Sequence, residues 1–129
     1  MPKRDYYEQG QLTDVAYLVL VSLTSPRHGY LIMSKVEEMT GGQACIGPAS
    51  LYTTLKKLNQ AGFISQLGNN DHKKVYCLTE EGLATLNIEI EKRERYAAYG
   101  KEALKAGEGA VVCENINTNT DSDIDLQMA

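Results

Sequence analysis

The sequence predicts a mainly α-helical protein with a small β-hairpin, an α+β fold in which a winged helix-turn-helix precedes one long C-terminal helix. Two segments with helical spacing of apolar residues, 27–40 and 47–62, are separated by a short connector that contains glycines. Two segments with strand character, 63–67 and 73–79, flank a Gly-Asn-Asn-Asp turn. A long helical pattern over 80–106 follows the second strand.

Length and composition fit one globular domain. The chain has 129 residues, of which 43% are hydrophobic and 23% are charged. No apolar run reaches the roughly 20 residues of a membrane span, and no apolar region follows the N-terminal basic residues, so we expect neither a membrane segment nor a signal peptide. The cysteines (Cys45, Cys77 and Cys113) form no CxxC pair, which disfavours a zinc site and fits a reducing cytoplasm. A redox role for them remains an alternative.

The charge is distributed unevenly along the chain. The formal net charge is −4, yet all 13 basic residues precede residue 107, and the segment 107–129 holds only acidic charges. Between residues 50 and 78, four lysines are opposed by Asp71 alone. Binding to phosphates depends on such local density rather than on the total charge. We therefore expect an acidic, disordered or weakly ordered tail over 107–129.

The first 79 residues divide into an arm and a winged helix. Residues 1–10 are expected to form a flexible arm, and residues 11–79 the winged helix itself. The segment 12–24 is apolar on nearly all sides and predicts a buried helix, although its valines leave a short strand as an alternative. The segment 27–40 predicts the next helix, which ends at a Gly-Gly pair.

The segment 47–62 has the features of a recognition helix. Pro48 suits a first helical position, and three leucines (Leu51, Leu55 and Leu58) recur on one face. The opposite face carries hydroxyls and amines but no carboxylate, so it can donate to phosphate oxygens and base edges. Its candidate DNA contacts are Ser50, Tyr52, Thr53, Lys56 and Lys57. A solvated surface helix is the alternative, and Tyr52 could equally be a half-buried packing residue.

The hairpin and the long helix suggest two further roles. Lys73 and Lys74 lie near the hairpin tip, where a wing would contact the phosphate backbone or the minor groove. Thr79 is a plausible N-cap for the helix over 80–106. That helix has a rough heptad of apolar residues, which predicts dimerisation: Leu83, Leu86, Ile90, Ala97 and Leu104. Packing of the helix on its own domain is the alternative.

Three motifs resemble the PadR family of bacterial transcriptional regulators. They are His28-Gly29-Tyr30, the P-x-S-L-Y sequence from Pro48 to Tyr52, and the L-T-E-x-G sequence from Leu78 to Gly82. The resemblance covers about residues 12–90. It implies a winged helix, a homodimer formed through the C-terminal and first helices, and repression by binding double-stranded operator DNA. The single C-terminal helix is similar to that of the smaller subfamily.

The chain departs from the family pattern at two places. The wing tip reads NNDHKK instead of an arginine run, and the sequence has no Trp, the residue that lines a drug-binding dimer pore in some small members. If a small aromatic or hydrophobic effector binds, the candidate residues are Tyr17, Tyr96 and Tyr99. An interaction module that binds protein instead of DNA is the alternative function. We expect no enzyme activity, cofactor or metal, because the sequence has no nucleophile–base pair, phosphate loop or metal cluster.

Overall fold

The structure is a computed structural model that describes residues 12–70, 73–107 and 109–113, without the side chains of residues 69, 70 and 73. The expected N-terminal arm and most of the acidic tail lie outside the described residues. The described elements are four helices and three strands: α1 (Asp14–Ser22), β1 (Arg27–His28), α2 (Gly29–Met39), α3 (Pro48–Gln60), β2 (Ile64–Asn70), β3 (Lys73–Leu78) and α4 (Glu80–Ala106).

Helix α1 confirms the expected buried helix and excludes the strand alternative. Its N-cap is Thr13, whose hydroxyl oxygen accepts a hydrogen bond from the Ala16 backbone N–H at 3.1 Å. Val19 and Leu20 are completely buried. The helix therefore lies at the centre of the core, which also takes apolar residues from α2, α3, the sheet and the start of α4.

The sheet has three antiparallel strands in the order β1-β3-β2, rather than the two of the predicted hairpin. Arg27 and His28, which we expected to open a helix, form β1 and pair with Tyr76 and Val75 of β3. A strand of two residues is too short to show alternation in the sequence. Its extended conformation is instead stabilised by hydrogen bonds to β3, a partner distant in the chain.

Strand β2 is longer than the sequence indicates. It continues through Gly68 to Asn70, where we expected a turn, and its pairing with β3 shifts register between Leu67 and Asn70. Gly68 has φ of 61°, a left-handed conformation that glycine adopts without steric cost. The register shift spans this glycine, and the strand continues through Asn69 and Asn70, which we expected in the turn. Asp71 and His72 lie outside the described residues.

The chain divides into two compact units, the first ending at Lys92 and the second starting at Arg93. Helix α4 has the bounds that the sequence predicts, and its start belongs to the first unit, where Leu86 joins the core. Among the described residues, no helix has both the length and the apolarity needed to cross a membrane.

Candidate nucleic-acid interface

Helix α3 has one buried face and one exposed face. Gly47 is its N-cap and Pro48 occupies the first turn, where a missing N–H costs nothing. The leucine face is fixed in the core, because Leu51 and Leu58 are completely buried and Leu55 is 2% exposed. The orientation of the opposite face is therefore set by the packing of the leucines.

The exposed face of α3 carries the candidate DNA contacts. Ser50, Thr53, Lys56 and Lys57 line this side of the helix, and all four are exposed. Beside them runs a groove of about 440 Å³, which the N-terminal end of α1 also lines. Thr13 and Thr54 line this groove but were not among the predicted site residues. The position of Thr54, four residues after Ser50 and three before Lys57, could have indicated it.

The connector between α2 and α3 is organised by the hydroxyl of Thr40. This hydroxyl donates to the Val36 carbonyl oxygen at 2.8 Å and accepts from the Ala44 N–H at 3.1 Å. Gly41 and Gly42 follow with φ of 62° and 83°, so both adopt the left-handed conformation that closes a helix. The two helices of the helix-turn-helix are thus joined by a defined turn.

Tyr52 contacts a different helix through its ring. Its side chain is 50% exposed, yet the hydroxyl oxygen lies 2.9 Å from where a Cβ of Gly29 would stand. Tyr76 of β3 is 8% exposed. Its pKa is raised above the usual value of 10.0, first by burial and then by the neighbouring Tyr52. Gly29 and Tyr76 were not among the predicted site residues, because a single glycine or tyrosine in the sequence does not indicate which other element it contacts.

The C-terminal end of α3 is held by the start of α4. Gly62, with φ of 85°, closes the helix. The Thr79 hydroxyl donates to the Gly62 carbonyl oxygen at 2.6 Å and accepts from the Gly82 N–H at 3.0 Å. The Thr79 N–H also donates to the Phe63 carbonyl oxygen at 3.1 Å. The predicted N-cap of α4 therefore also fixes the C-terminal end of α3.

The wing presents one described lysine side chain. Lys74 is exposed on β3. The backbone of Lys73 is in the same strand, while its side chain lies outside the described part of the structure. In β2, Leu67 is 47% exposed, so the wing surface combines apolar and basic character.

The residues predicted for dimerisation occupy two environments. Leu83, Ile90, Ala97 and Leu104 are exposed in the isolated chain. Leu86 is 4% exposed and belongs to the core of the first unit. Its own chain already covers Leu86, so only the other four offer surface to a partner.

The predicted effector tyrosines and the cysteines can also be located. Tyr17 packs against the core of the first unit, whereas Tyr96 and Tyr99 of the second unit are exposed, with ring centroids 6.0 Å apart.

Cys45 and Cys113 are exposed, and the half-buried Cys77 has its sulfur 3.5 Å from the Ser65 hydroxyl. Within the described residues, no group of three or more His, Cys, Asp or Glu side chains could hold a metal ion.

Helix α2, the exposed face of α3 and the adjoining β-hairpin together define a winged helix-turn-helix protein. More specifically, the chain belongs to the transcriptional regulator PadR-like family, whose family model matches residues 18–88. This match confirms the resemblance indicated by the three sequence motifs.

Solved structures and one curated protein are similar to parts of this chain. A transcriptional regulator from Clostridium thermocellum has the same fold, with a TM-score of 0.62 and 20% identity over 68% of this chain and 90% of that one. PadR of Bacillus subtilis, solved in complex with operator DNA, is 30% identical over 58% of this chain and 45% of that one, with a TM-score of 0.53. An uncharacterised protein in a Streptomyces fradiae transposon is 32% identical over 83 residues; the chain spans 24% of its length.

Proposed function

We propose that this PadR-like regulator binds operator DNA as a homodimer and represses transcription. The observation that carries the proposal is the exposed face of α3, which has hydroxyls and amines but no carboxylate, on a helix whose leucines are fixed in the core. Such a face can approach a polyanion without repulsion. The operator complex of the Bacillus subtilis relative supports DNA as the ligand.

Each polar residue of the interface has a proposed role. Ser50, Thr53 and Lys56 would contact base edges or phosphates in the major groove. Lys57, which lines the adjoining groove, would contact the phosphate backbone. Lys73 and Lys74 would contact phosphates from the wing.

The homodimer would form through the exposed apolar residues of α4. Leu83 is 50% exposed, Ile90 36% and Leu104 54%, and burial of such side chains against a second copy stabilises association. A two-fold dimer would place its α3 helices about 34 Å apart, which matches successive major grooves. A small aromatic or hydrophobic effector at Tyr17, Tyr96 or Tyr99 would release the dimer from DNA.

Selection of genomic DNA fragments by the purified chain tests the function. We expect recovery of a common sequence with two-fold symmetry, and reduced transcription in vitro from a promoter that contains it. A mobility-shift assay with the DNA upstream of the protein's own gene is the simplest first test. Recovery of no DNA above background would contradict the proposal and favour an interaction module for proteins.

A charge-removal variant tests the residue assignments. Substitution of Lys56 and Lys73 by Ala should weaken operator binding and reduce the slope of log K against log salt by about two units, since each lost phosphate contact removes about 0.9. The matched control substitutes Lys101 and Lys105, two exposed lysines of α4, and should leave the slope unchanged. An unchanged slope for the Lys56 and Lys73 variant would contradict their assignment.

A further inference from the structure

The ring of Tyr52 occupies space that any residue other than glycine would need at position 29. A Cβ on Gly29 would lie 2.9 Å from the Tyr52 hydroxyl oxygen and 3.2 Å from a ring carbon. The first distance is shorter than real Cβ contacts, and the second is tighter than nearly all of them. The tyrosine of α3 therefore lies directly against the backbone at the first residue of α2.

This contact, and not the backbone conformation, means that a side chain at position 29 would have to displace the Tyr52 ring. The backbone of Gly29 does not have a positive φ, so other residues could adopt its backbone angles. Glycine is a poor helix former compared with alanine, which makes it an unfavourable choice at the start of α2. The buried position beneath the ring explains why it is present.

Tyr52 also affects the central strand of the sheet. Tyr76 lies in β3, between Arg27 of β1 and Gln66 of β2, and the neighbouring Tyr52 contributes to the raised pKa of its hydroxyl. One side chain of the recognition helix thus touches the start of α2 and lies close to the strand that leads from the wing.

We propose that Tyr52 is a positioning residue, which holds α3 at a fixed angle to α2 and the wing through its seat on Gly29. The inference rests on the proposed DNA binding, where α3 and the wing must reach the groove and the phosphates together. A change in that angle would prevent α3 from contacting the groove while the wing contacts the phosphates, because rigid elements transmit small displacements to their far ends. Tyr52 then governs operator affinity through the geometry of other residues.

A double-mutant cycle tests the contact between the two residues. The probes are a selected operator duplex of about 30 base pairs, which holds two half-sites, and a scrambled duplex. Gly29→Ala and Tyr52→Ala should each weaken operator binding on the order of tenfold, and the double variant should lose little more than either alone, because the methyl group added by Gly29→Ala already displaces the ring. A loss of about a hundredfold, the product of two independent effects, overturns the proposal.

Tyr52→Phe separates positioning from direct contact and keeps the fold intact. The ring stays on Gly29, so operator affinity and the ratio of operator to scrambled binding should remain within about twofold of the parent chain. A loss as large as that of Tyr52→Ala would assign the effect to the hydroxyl and overturn the proposal.

Urea denaturation of the same variants tests the contact without DNA. We expect the destabilisation of the double variant to be smaller than the sum of the single effects, and additive values overturn the proposal. A Gly29→Ala chain that unfolds while the double variant folds counts as coupling. If the parent chain binds no DNA, the proposed function fails, and the stability cycle still decides whether Tyr52 and Gly29 are coupled.

Discussion

Gly82 lies where the start of α4 crosses the backbone just after α3. A Cβ at this position would overlap the carbonyl oxygen of Phe63. The same Gly82 donates its N–H to the Thr79 hydroxyl at 3.0 Å, so the backbone cannot move away without loss of that hydrogen bond. The L-T-E-x-G motif therefore ends in glycine because two backbones meet there.

We predict that Gly82→Ala lowers the free energy of unfolding by about 3 kcal/mol, because the added methyl must displace the backbone of Phe63. The matched control is Gly100→Ala in the same helix, where none of the described residues outside the helix's own neighbouring backbone comes within 4 Å of the added Cβ. That control should be neutral or stabilise by about 0.5–1 kcal/mol. Urea denaturation measures both, and equal effects would refute the proposed overlap.

Tyr76 lies in an environment that disfavours the ionised form of its side chain. Burial first, and then Tyr52, raise its pKa above the usual 10.0. The unfolded chain therefore loses the proton of Tyr76 at a lower pH than the folded chain does. Ionisation of Tyr76 does not affect stability below about pH 9, and it destabilises the folded state as the pH rises toward the folded pKa. The sign follows from the proton count: above the unfolded pKa the folded chain binds more protons, so its stability falls with rising pH. We predict that between about pH 9 and 11 the parent chain loses more stability than Tyr76→Phe. Parallel losses in urea denaturation would count against the raised pKa.

At the scale of elements, the Thr79 hydroxyl links the end of α3 to the start of α4. The Thr79 side chain bonds to the Gly62 carbonyl oxygen at the end of α3 and to the Gly82 N–H at the start of α4. The helix proposed to read DNA is thereby tied to the helix proposed to form the dimer.

We predict that Thr79→Val destabilises the fold by about 2 kcal/mol, because it leaves a carbonyl and an N–H without their partner. Thr79→Ser keeps both hydrogen bonds and should lose less than about 1 kcal/mol. Thermal or urea denaturation of the two variants provides the comparison. If serine and valine destabilise equally, the hydroxyl does not have the structural role described.

Helix α4 carries exposed apolar residues on two of its sides. Leu83, Ile90, Ala97 and Leu104 follow one another at heptad spacing and so share a side. Ile88 and Tyr99, 59% and 62% exposed, are eleven residues apart and also share a side, nearly opposite Ile90 at 3.6 residues per turn. Helical geometry therefore places Ile88 and Tyr99 outside the heptad side.

At the scale of the whole molecule, two adjacent alanines distinguish the proposed dimer from a monomer. Ala97 and Ala98 are both exposed in α4, but only Ala97 lies in the heptad. We predict that Ala97→Glu dissociates the dimer and weakens operator binding, because a buried carboxylate without a partner is costly. Ala98→Glu should do neither. Sedimentation equilibrium would give the single-chain mass of 14.2 kDa for the first variant and twice that for the second.

Local patterns were sufficient for most of the fold. The leucines of α3, the Thr79 cap and the bounds of α4 follow from side-chain spacing and capping chemistry, and all are present in the structure. Strand β1 escaped prediction because two residues carry no periodic signal. The continuation of β2 past Gly68 escaped it because the pairing with β3 overrides the turn preference of Asn and Gly.

For the candidate site, the sequence by itself determined which residues α3 presents, since the leucines fix its buried face and leave the hydroxyls and lysines outward. It also determined the family, through three ordered motifs. Only the tertiary structure decided how α3 is held, by the Tyr52 ring on Gly29 at one end and the Thr79 hydroxyl on Gly62 at the other. Side-chain periodicity is a property of one element, whereas these contacts join residues that only the packing of several elements brings together.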